Sequence, residues 1–408
     1  MSNPVVFKIP YSGVGIKYSE SEKQAVLHAM DVITTLTQGT YQQQFQQDFS
    51  NFVNMSYAFA TSCCATALEL AAILLKLKSG DEVICPAHTY CASVYPFARH
   101  GVKIKWADID RDTLVVSADT IAPLITKKTK LIIAVHLYGL PAQMPEIMQL
   151  AKQHNIPVLE DCAQSIGATI DGKRAGSFGD ISVFSFQSHK NITTLGEGGM
   201  ICFNHPEWAK VLPGLRHNGH RPYGGLREQY WHPAMVNVDF DEGYENIWPH
   251  NFCLGEPQCA LGIELLKRVD SLRIDRRNRH NQFIEAMKGC PELIFQTIPE
   301  KYQSAHHLLP FRYDGRKQGK NSYDFIDYIA RVQGVQAIVQ YYPLNRYPLF
   351  SKMGYGDARI PNTNLFFDNM VSLPFHCWMS EDDFDYMIEA TKNTVLALRE
   401  MAKVVVSA

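Results

Sequence analysis

Short apolar runs alternate with helix-like segments along the chain from residue 57 to residue 203. The runs have the length of buried strands, and they cover residues 57–60, 82–85, 103–107, 131–135, 156–159, 181–186 and 199–203. Strands that alternate with helices in this way are typical of an α/β protein with a mostly parallel sheet. Ligands of such sheets bind beyond the carboxyl ends of the strands. The pattern therefore predicts a functional site where these runs end.

Residues 158–200 carry the most chemical information. A carboxylate, Asp161, follows the first apolar run of this stretch, and Lys190 comes shortly after the second. A lysine just past a buried strand is either an ordinary solvated side chain or an amine placed for chemistry. Most lysines at such positions are solvated. A nearby hydroxyl and three glycines favour a segment that holds a ligand close to the backbone. These residues are Ser185, Gly196, Gly198 and Gly199.

Three ordered motifs in this stretch resemble the DegT/DnrJ/EryC1/StrS family of sugar aminotransferases. They are Asp161-x-x-Gln164, Ser185-Phe186-x-x-x-Lys190 and Gly196-Glu197-Gly198-Gly199. The resemblance implies the aspartate aminotransferase fold (fold type I) with pyridoxal 5'-phosphate (PLP) as cofactor. It also implies a large PLP-binding domain with an N-terminal arm over residues 1–270 and a smaller α+β domain over residues 271–408. Leu195 is an extra residue between the lysine and the glycine motif.

The resemblance assigns a role to each motif residue. Lys190 would be the catalytic lysine, bound covalently to the cofactor aldehyde, and Asp161 would keep the pyridine nitrogen protonated. Gln164 would bond near the phenolic oxygen of the cofactor, and Tyr90 would stack on its ring. The phosphate would be held by Ser185 and by two backbone amides at a helix start, those of Ala65 and Thr66.

The same resemblance implies a homodimer with shared active sites. Asn251, which precedes the predicted helix over residues 257–288, corresponds to the family's asparagine that reaches the phosphate of the neighbouring subunit's cofactor. Further predicted elements are a helix over residues 119–125, strands over residues 306–311 and 335–340, and a terminal helix over residues 381–402.

The reaction that follows from the resemblance is amino transfer from an amino acid, glutamate in the first instance, to a keto-sugar. Lys190 at this position argues against the branch of the family that has histidine there and removes a hydroxyl. The 185–200 segment is also similar to enzymes that make 8-amino-3,8-dideoxy-manno-octulosonate, a lipopolysaccharide sugar acid, and this similarity favours 8-dehydro-3-deoxy-manno-octulosonate as the acceptor. Cations for such an acidic acceptor would come from the segment of Arg216, His217, His220 and Arg221.

The sequence leaves two alternatives open, one for the acceptor and one for the type of protein. Most members of the family act on nucleotide-linked keto-hexoses, and the aromatic residues between Tyr223 and Trp248 could stack on a base. A non-catalytic sugar- or nucleotide-binding protein on the same fold is the other alternative. A nicotinamide dehydrogenase is disfavoured because no G-x-G-x-x-G follows the first strand.

Composition narrows the remaining possibilities. A chain of 408 residues with a formal charge of −2 has no polyanion-binding signal, so nucleic acid is not an expected partner. No signal peptide or membrane-spanning apolar run is visible, which predicts a cytoplasmic protein. The ten cysteines form no C-x-x-C pair, and the histidine pairs lack a third ligand, so no metal site is predicted.

Overall fold

The computed structural model describes residues 6–220, 240 and 243–406. The strands are β1 Tyr57–Thr61, β2 Glu82–Pro86, β3 Lys103–Ala107, β4 Thr129–Val135, β5 Val158–Asp161, β6 Thr169–Ile170, β7 Lys173–Arg174, β8 Ile181–Ser185, β9 Gly199–Phe203, β10 Leu293–Phe295, β11 Tyr302–Gln303, β12 Leu309–Tyr313 and β13 Met370–Leu373. The helices are α1 Glu20–Val32, α2 Thr40–Val53, α3 Cys64–Leu74, α4 Tyr95–Arg99, α5 Ala118–Ile121, α6 Met144–His154, α7 Pro206–Arg216, α8 Glu256–Leu266, α9 Val269–Ala286, α10 Ser322–Arg331, α11 Pro348–Phe350, α12 Pro361–Phe367 and α13 Glu381–Val406.

The central sheet has seven strands in the order β1-β9-β8-β5-β4-β2-β3. The pairs from β8 to β3 are parallel, whereas β9 runs antiparallel to both of its neighbours. The predicted α/β fold with a mostly parallel seven-stranded sheet is therefore confirmed. A second sheet, β10-β12-β13, is antiparallel and belongs to the C-terminal part of the chain.

Side chains of the central sheet pack on both of its faces, as the continuous apolar strands require. In β9, Met200 and Cys202 join a cluster with Phe45 and Phe49 of α2, whereas Ile201 packs into the cluster that contains α3. This alternation follows from the two-residue period of a strand. A third cluster fills the space between the C-terminal sheet, α10 and α13.

Two of the predicted elements are wrong. The single helix over residues 257–288 is two helices, α8 and α9, because Lys267 and Arg268 donate their backbone N–H groups to carbonyls three residues back instead of four. The predicted strand over residues 335–340 makes only isolated bridges, Ile9 with Val335 and Ile338 with Ser372. Both places contact distant segments: Arg268 pairs with Glu22, and the 335–340 segment forms bridges with Ile9 and Ser372.

Candidate active site

Asp161 ends β5 at the carboxyl edge of the sheet, and its carboxylate is fixed by two hydrogen bonds. Oδ1 accepts from the backbone N–H of Ala163 at 3.0 Å, and Oδ2 accepts from the hydroxyl of Ser93 at 2.6 Å. Thr89 in turn lies 3.0 Å from the Ser93 hydroxyl, oxygen to oxygen. The side chain is buried, so these two donors hold it in one orientation.

A cavity of about 450 Å³ opens beside this carboxylate. Six of the eight predicted site residues line it, and they come from four separate parts of the chain: Ala65, Tyr90, Asp161, Gln164, Ser185 and Lys190. The parallel strands bring these residues together because their carboxyl ends share one edge of the sheet. The cavity wall also includes residues for which the sequence predicted no role in the site, among them Ser93, Glu197, His307 and Tyr341.

The other two predicted residues do not line the cavity. The hydroxyl of Thr66 donates to the carbonyl of Cys63 at 2.7 Å, where it helps to close the first turn of α3. Asn251 is exposed and forms an isolated bridge with His217.

Lys190 follows β8 in the loop that leads back to β9. Burial lowers the pKa of its amine, and the nearby Cys64, Asp161 and Glu197 oppose that shift. A lowered pKa increases the fraction of neutral amine at a given pH, and the neutral amine is the nucleophile. Lys190 is thus partly buried and lies in the wall of the cavity.

Gln164 has a fixed amide orientation. Its Oε1 accepts from the backbone N–H of Tyr138 at 2.8 Å, and its Nε2 donates to the hydroxyl of Tyr341 at 3.2 Å. Because the oxygen is taken by the backbone, Gln164 can present only N–H groups to the cavity. A side chain fixed in this way suits an acceptor atom such as an anionic phenolic oxygen.

The start of α3 and the end of β8 form a second part of the cavity wall. Ser185 pairs in register with Gly199, and a Cβ on Gly199 would overlap the backbone of Cys63 and Cys64. Glycine at this position therefore lets β9 approach the helix start. Ala65 and Ser185 consequently both line one cavity, where a helix N-terminus favours an anion.

The extra Leu195 is absorbed in a turn. Its backbone has φ +61°, and Gly196 follows with φ +110°. Two successive residues with positive φ reverse the chain tightly, so the loop returns to β9 without moving Lys190 out of the cavity.

The prediction that Arg216 is available to an acidic acceptor is wrong. Its side chain is buried, and the guanidinium donates to the carbonyl of Ala60 at 2.6 Å and to three glutamines, Gln38, Gln42 and Gln46. The rings of His217 and His220 stack on each other at 4.6 Å between centroids. Arg221 and most of the aromatic segment from Tyr223 onward lie outside the described residues.

Within the described parts of the chain, one group of potential metal ligands occurs, formed by His136, Glu160 and Cys162. Hydrogen bonds already occupy it: His136 Nδ1 accepts from Ala142, and Nε2 lies 2.9 Å from Glu160 Oε2. Three backbone N–H groups, those of residues 176, 178 and 179, also donate to Glu160. These bonds explain the cluster as a buried structural network.

Every helix in the described ranges is too short or too polar to span a bilayer.

The donor set of the cavity fits pyridoxal phosphate. It offers an amine for the aldehyde, a fixed carboxylate for the ring nitrogen, an amide donor for the phenolic oxygen, and a helix start with a hydroxyl for the phosphate. Fold and site together define a PLP-dependent aminotransferase. Residues 17–392 match the model of the DegT/DnrJ/EryC1/StrS aminotransferase family. The chain belongs to this family of sugar aminotransferases.

Individual relatives agree with this assignment. The chain is 37% identical over 336 residues to the GDP-perosamine synthase of Escherichia coli O157:H7, which covers 81% of this chain and 84% of that protein. It is 31% identical over 373 residues to the GDP-perosamine synthase of Caulobacter vibrioides, covering 91% and 94%. The PLP form of a sugar aminotransferase from Streptococcus pneumoniae superposes with a TM-score of 0.82 at 25% identity, covering 96% of this chain and 99% of that one.

Proposed function

We propose that the enzyme transfers an amino group from glutamate to a nucleotide-linked keto-hexose. The observation that carries the amino transfer is the presence of the Lys190 amine and the Asp161 carboxylate in one cavity at the carboxyl edge of the sheet. Pyridoxal phosphate, when bound, supplies a ring that accepts an electron pair as long as its nitrogen is protonated. Asp161, held by Ser93 and the backbone, favours that proton.

The side chains around the cavity divide the remaining tasks. Lys190 Nζ would remove a proton from the α-carbon of the donor and deliver it to the former aldehyde carbon of the cofactor, two bonds away, so that the amine acts as the base and then as the acid. Gln164 would donate to the phenolic oxygen of the cofactor, and Tyr90 would cover one face of its ring. Ser185 and the amide of Ala65 would hold the phosphate. The amide of Thr66, at the same helix start, would also donate to it.

Charge in the cavity wall favours an acceptor whose reacting part is neutral. Glu197 faces the same cavity as Asp161, and no arginine lines it among residues 6–220, 240 and 243–406. A negatively charged part of the acceptor would meet like charge inside this wall, so the hexose ring of a nucleotide-linked sugar would enter and its charged diphosphate would stay outside. The names of the two perosamine synthases point in the same direction, since a nucleotide-linked sugar is the product of those relatives.

A second candidate acceptor is 8-dehydro-3-deoxy-manno-octulosonate. The similarity of residues 185–200 to enzymes that make the corresponding amino sugar acid favours it. The enzyme would then serve lipopolysaccharide biosynthesis. The cations that bind the carboxylate of this acceptor would come from residues outside the wall of the cavity.

We further propose a cytoplasmic homodimer with shared active sites. Asn251 supports this arrangement because it is exposed and lies outside the cavity of its own chain. An asparagine in that position is free to reach the phosphate bound in a neighbouring subunit. Mixing inactive Lys190→Ala subunits with inactive Asn251→Ala subunits tests the idea, because a mixed dimer contains one intact site and recovers part of the activity.

Absorbance and a substrate panel test the main proposal. The purified protein should acquire a visible band with pyridoxal phosphate, and Lys190→Arg should lose that band together with turnover. Lys152→Arg, which changes an exposed lysine of α6, should keep both. The panel combines glutamate with keto-sugars, nucleotide-linked and free. Product from the free octulosonate alone would replace the first acceptor by the second, and turnover by Lys190→Arg would refute the amino-transfer mechanism.

A further inference from the structure

His307 is a buried histidine in the cavity wall that the roles assigned above leave unused. It lies in the segment before β12 and is 3% exposed, and its ring borders the same cavity as Lys190. A lone buried histidine is more often a core residue than a functional one. The contacts around this ring, however, fix both its position and its protonation state.

Asn191, the residue after the lysine, determines which ring nitrogen carries the proton. The Nδ2 group of Asn191 donates to the carbonyl of Ala305 at 2.9 Å, so its Oδ1 must be the atom that lies 3.0 Å from His307 Nδ1. An amide oxygen only accepts, and His307 Nδ1 therefore bears the hydrogen. The neutral ring consequently carries its lone pair on Nε2.

The backbone of His307 is fixed as well. Its N–H donates to the carbonyl of Tyr138 at 2.8 Å, and its carbonyl accepts from the buried guanidinium of Arg276 at 3.3 Å. Arg276 also donates to the carbonyl of Gly15, and the N–H of Gly15 donates to Ser188, two residues before the lysine. The histidine and the lysine loop are thus tied together through both side chain and backbone.

We propose that His307 is a positioning residue for Lys190: the Nε2 atom of His307 is the hydrogen-bond acceptor towards which the Lys190 ammonium group turns after that amine is released from the cofactor. Because Nδ1 is bonded to Asn191, Nε2 is the ring nitrogen left to the cavity. Lys190 is also the charged group that, after burial, contributes most to the lowered pKa of His307. Such a bond would keep the released amine in place between its two proton transfers. The inference rests on the proposed role of Lys190.

Two substitutions separate this role from a purely structural one. The amide of asparagine reaches the position of Nδ1, so His307→Asn keeps the bond to Asn191 and loses the acceptor at Nε2. Glutamine reaches the position of Nε2, so His307→Gln keeps an acceptor there and loses the bond to Asn191. A partly buried histidine outside the cavity wall provides the control, His280→Asn.

The readout is the pH dependence of Lys190 labelling by trinitrobenzenesulfonate in the full-length, cofactor-free protein, followed by peptide mass spectrometry. The titratable groups that face Lys190 are Cys64, Asp161, Glu197, His189 and His307. A hydrogen bond to the ammonium favours the charged form, so its loss in His307→Asn should lower the labelling midpoint by about one pH unit. His307→Gln and His280→Asn should keep the midpoint of the unsubstituted protein.

An unchanged midpoint in His307→Asn would overturn the proposal, and so would an equal shift in His307→Asn and His307→Gln. Thermal melts of all variants show whether a shift of the labelling midpoint accompanies unfolding. A midpoint shift that comes from unfolding would indicate a purely structural role of His307 and would also overturn the proposal. The labelling midpoint does not depend on catalysis. A protein that takes up no pyridoxal phosphate would refute the proposed function, and the midpoints would still decide the role of His307.

Discussion

The carboxylate of Asp161 depends on a hydroxyl that lies 68 positions earlier in the chain. Ser93 donates to Oδ2 at 2.6 Å and sits 3.0 Å from the hydroxyl of Thr89. Since a carboxylate has no hydrogen to give, Ser93 must direct its own hydrogen to Asp161 and can accept one from Thr89. The three side chains form a chain of hydrogen bonds that orients the carboxylate towards the cavity.

Replacing Ser93 by alanine should lower kcat roughly tenfold, because a hydrogen bond to a charged group is worth about 1.5 kcal/mol. The visible band of the bound cofactor should persist, since Lys190 is untouched. Steady-state kinetics with glutamate and the identified acceptor measure the effect. A suitable control is Ser372→Ala, which removes a buried hydroxyl that has no hydrogen-bond partner in the described parts of the chain. Equal kcat values for the two variants would show that Ser93 does not support Asp161.

At the residue scale, the sequence predicts side chains that lie within one motif and misses those that arrive from elsewhere. Asp161, Gln164, Ser185 and Lys190 fall within 30 residues, and all four line the cavity. Ser93 and His307 are separated from that stretch by more than 60 positions. Nothing in their local sequence distinguishes them from ordinary core residues. Only the sheet and the buried Arg276 contacts bring them to the site.

The N-terminal arm supports the lysine loop at the scale of an element. Gly15 is buried, and its N–H donates to the carbonyl of Ser188 at 2.8 Å. A Cβ at this position would overlap the carbonyl oxygens of His189 and Lys190. The backbone of the arm therefore touches the backbone of the loop. Glycine is required here because a Cβ would not fit, and not because the backbone has a positive φ.

Gly15→Ala should destabilise the protein by about 1–3 kcal/mol, the usual cost of extra volume in a packed site, and should weaken cofactor binding by displacing Lys190. Gly13→Ala is the matched control two residues away, where the nearest atom to a new Cβ is 3.5 Å distant. Urea denaturation gives the stability, and titration with pyridoxal phosphate gives the affinity. If both variants bind the cofactor equally well, the arm does not hold the lysine loop.

The sequence predicts the boundaries of the strands better than the break between the helices α8 and α9. The strands of the central sheet are predicted within a few residues because their apolar runs are short and end in polar groups. The break between α8 and α9 is not, since apolar residues such as Leu265, Val269 and Leu272 continue at helical spacing across it. Arg268 at the break pairs with the buried carboxylate of Glu22 in α1, a contact that no local pattern contains.

At the scale of the whole molecule, folding encloses several histidines in their neutral form. Burial is the largest cause of a lowered pKa in four of them, to about 3 for His88, about 4 for His280, about 2 for His306 and about 4 for His376. An unfolded chain would protonate the same side chains near pH 6.5. The unfolded state thus binds more protons than the folded state at every pH between these values.

Stability should therefore fall as the pH drops from about 6.5 towards 4, by up to ~1.4 kcal/mol per pH unit for each such histidine. Urea denaturation at pH 7.0 and pH 5.5 measures the loss. His376→Phe keeps a ring against Trp378, which stacks on His376 at 3.7 Å, and should reduce the loss by about 1 kcal/mol. His154→Phe, which replaces an exposed histidine at the end of α6, should leave the loss unchanged. An equal pH dependence in the two variants would show that His376 is protonated in the folded protein and does not contribute to acid sensitivity.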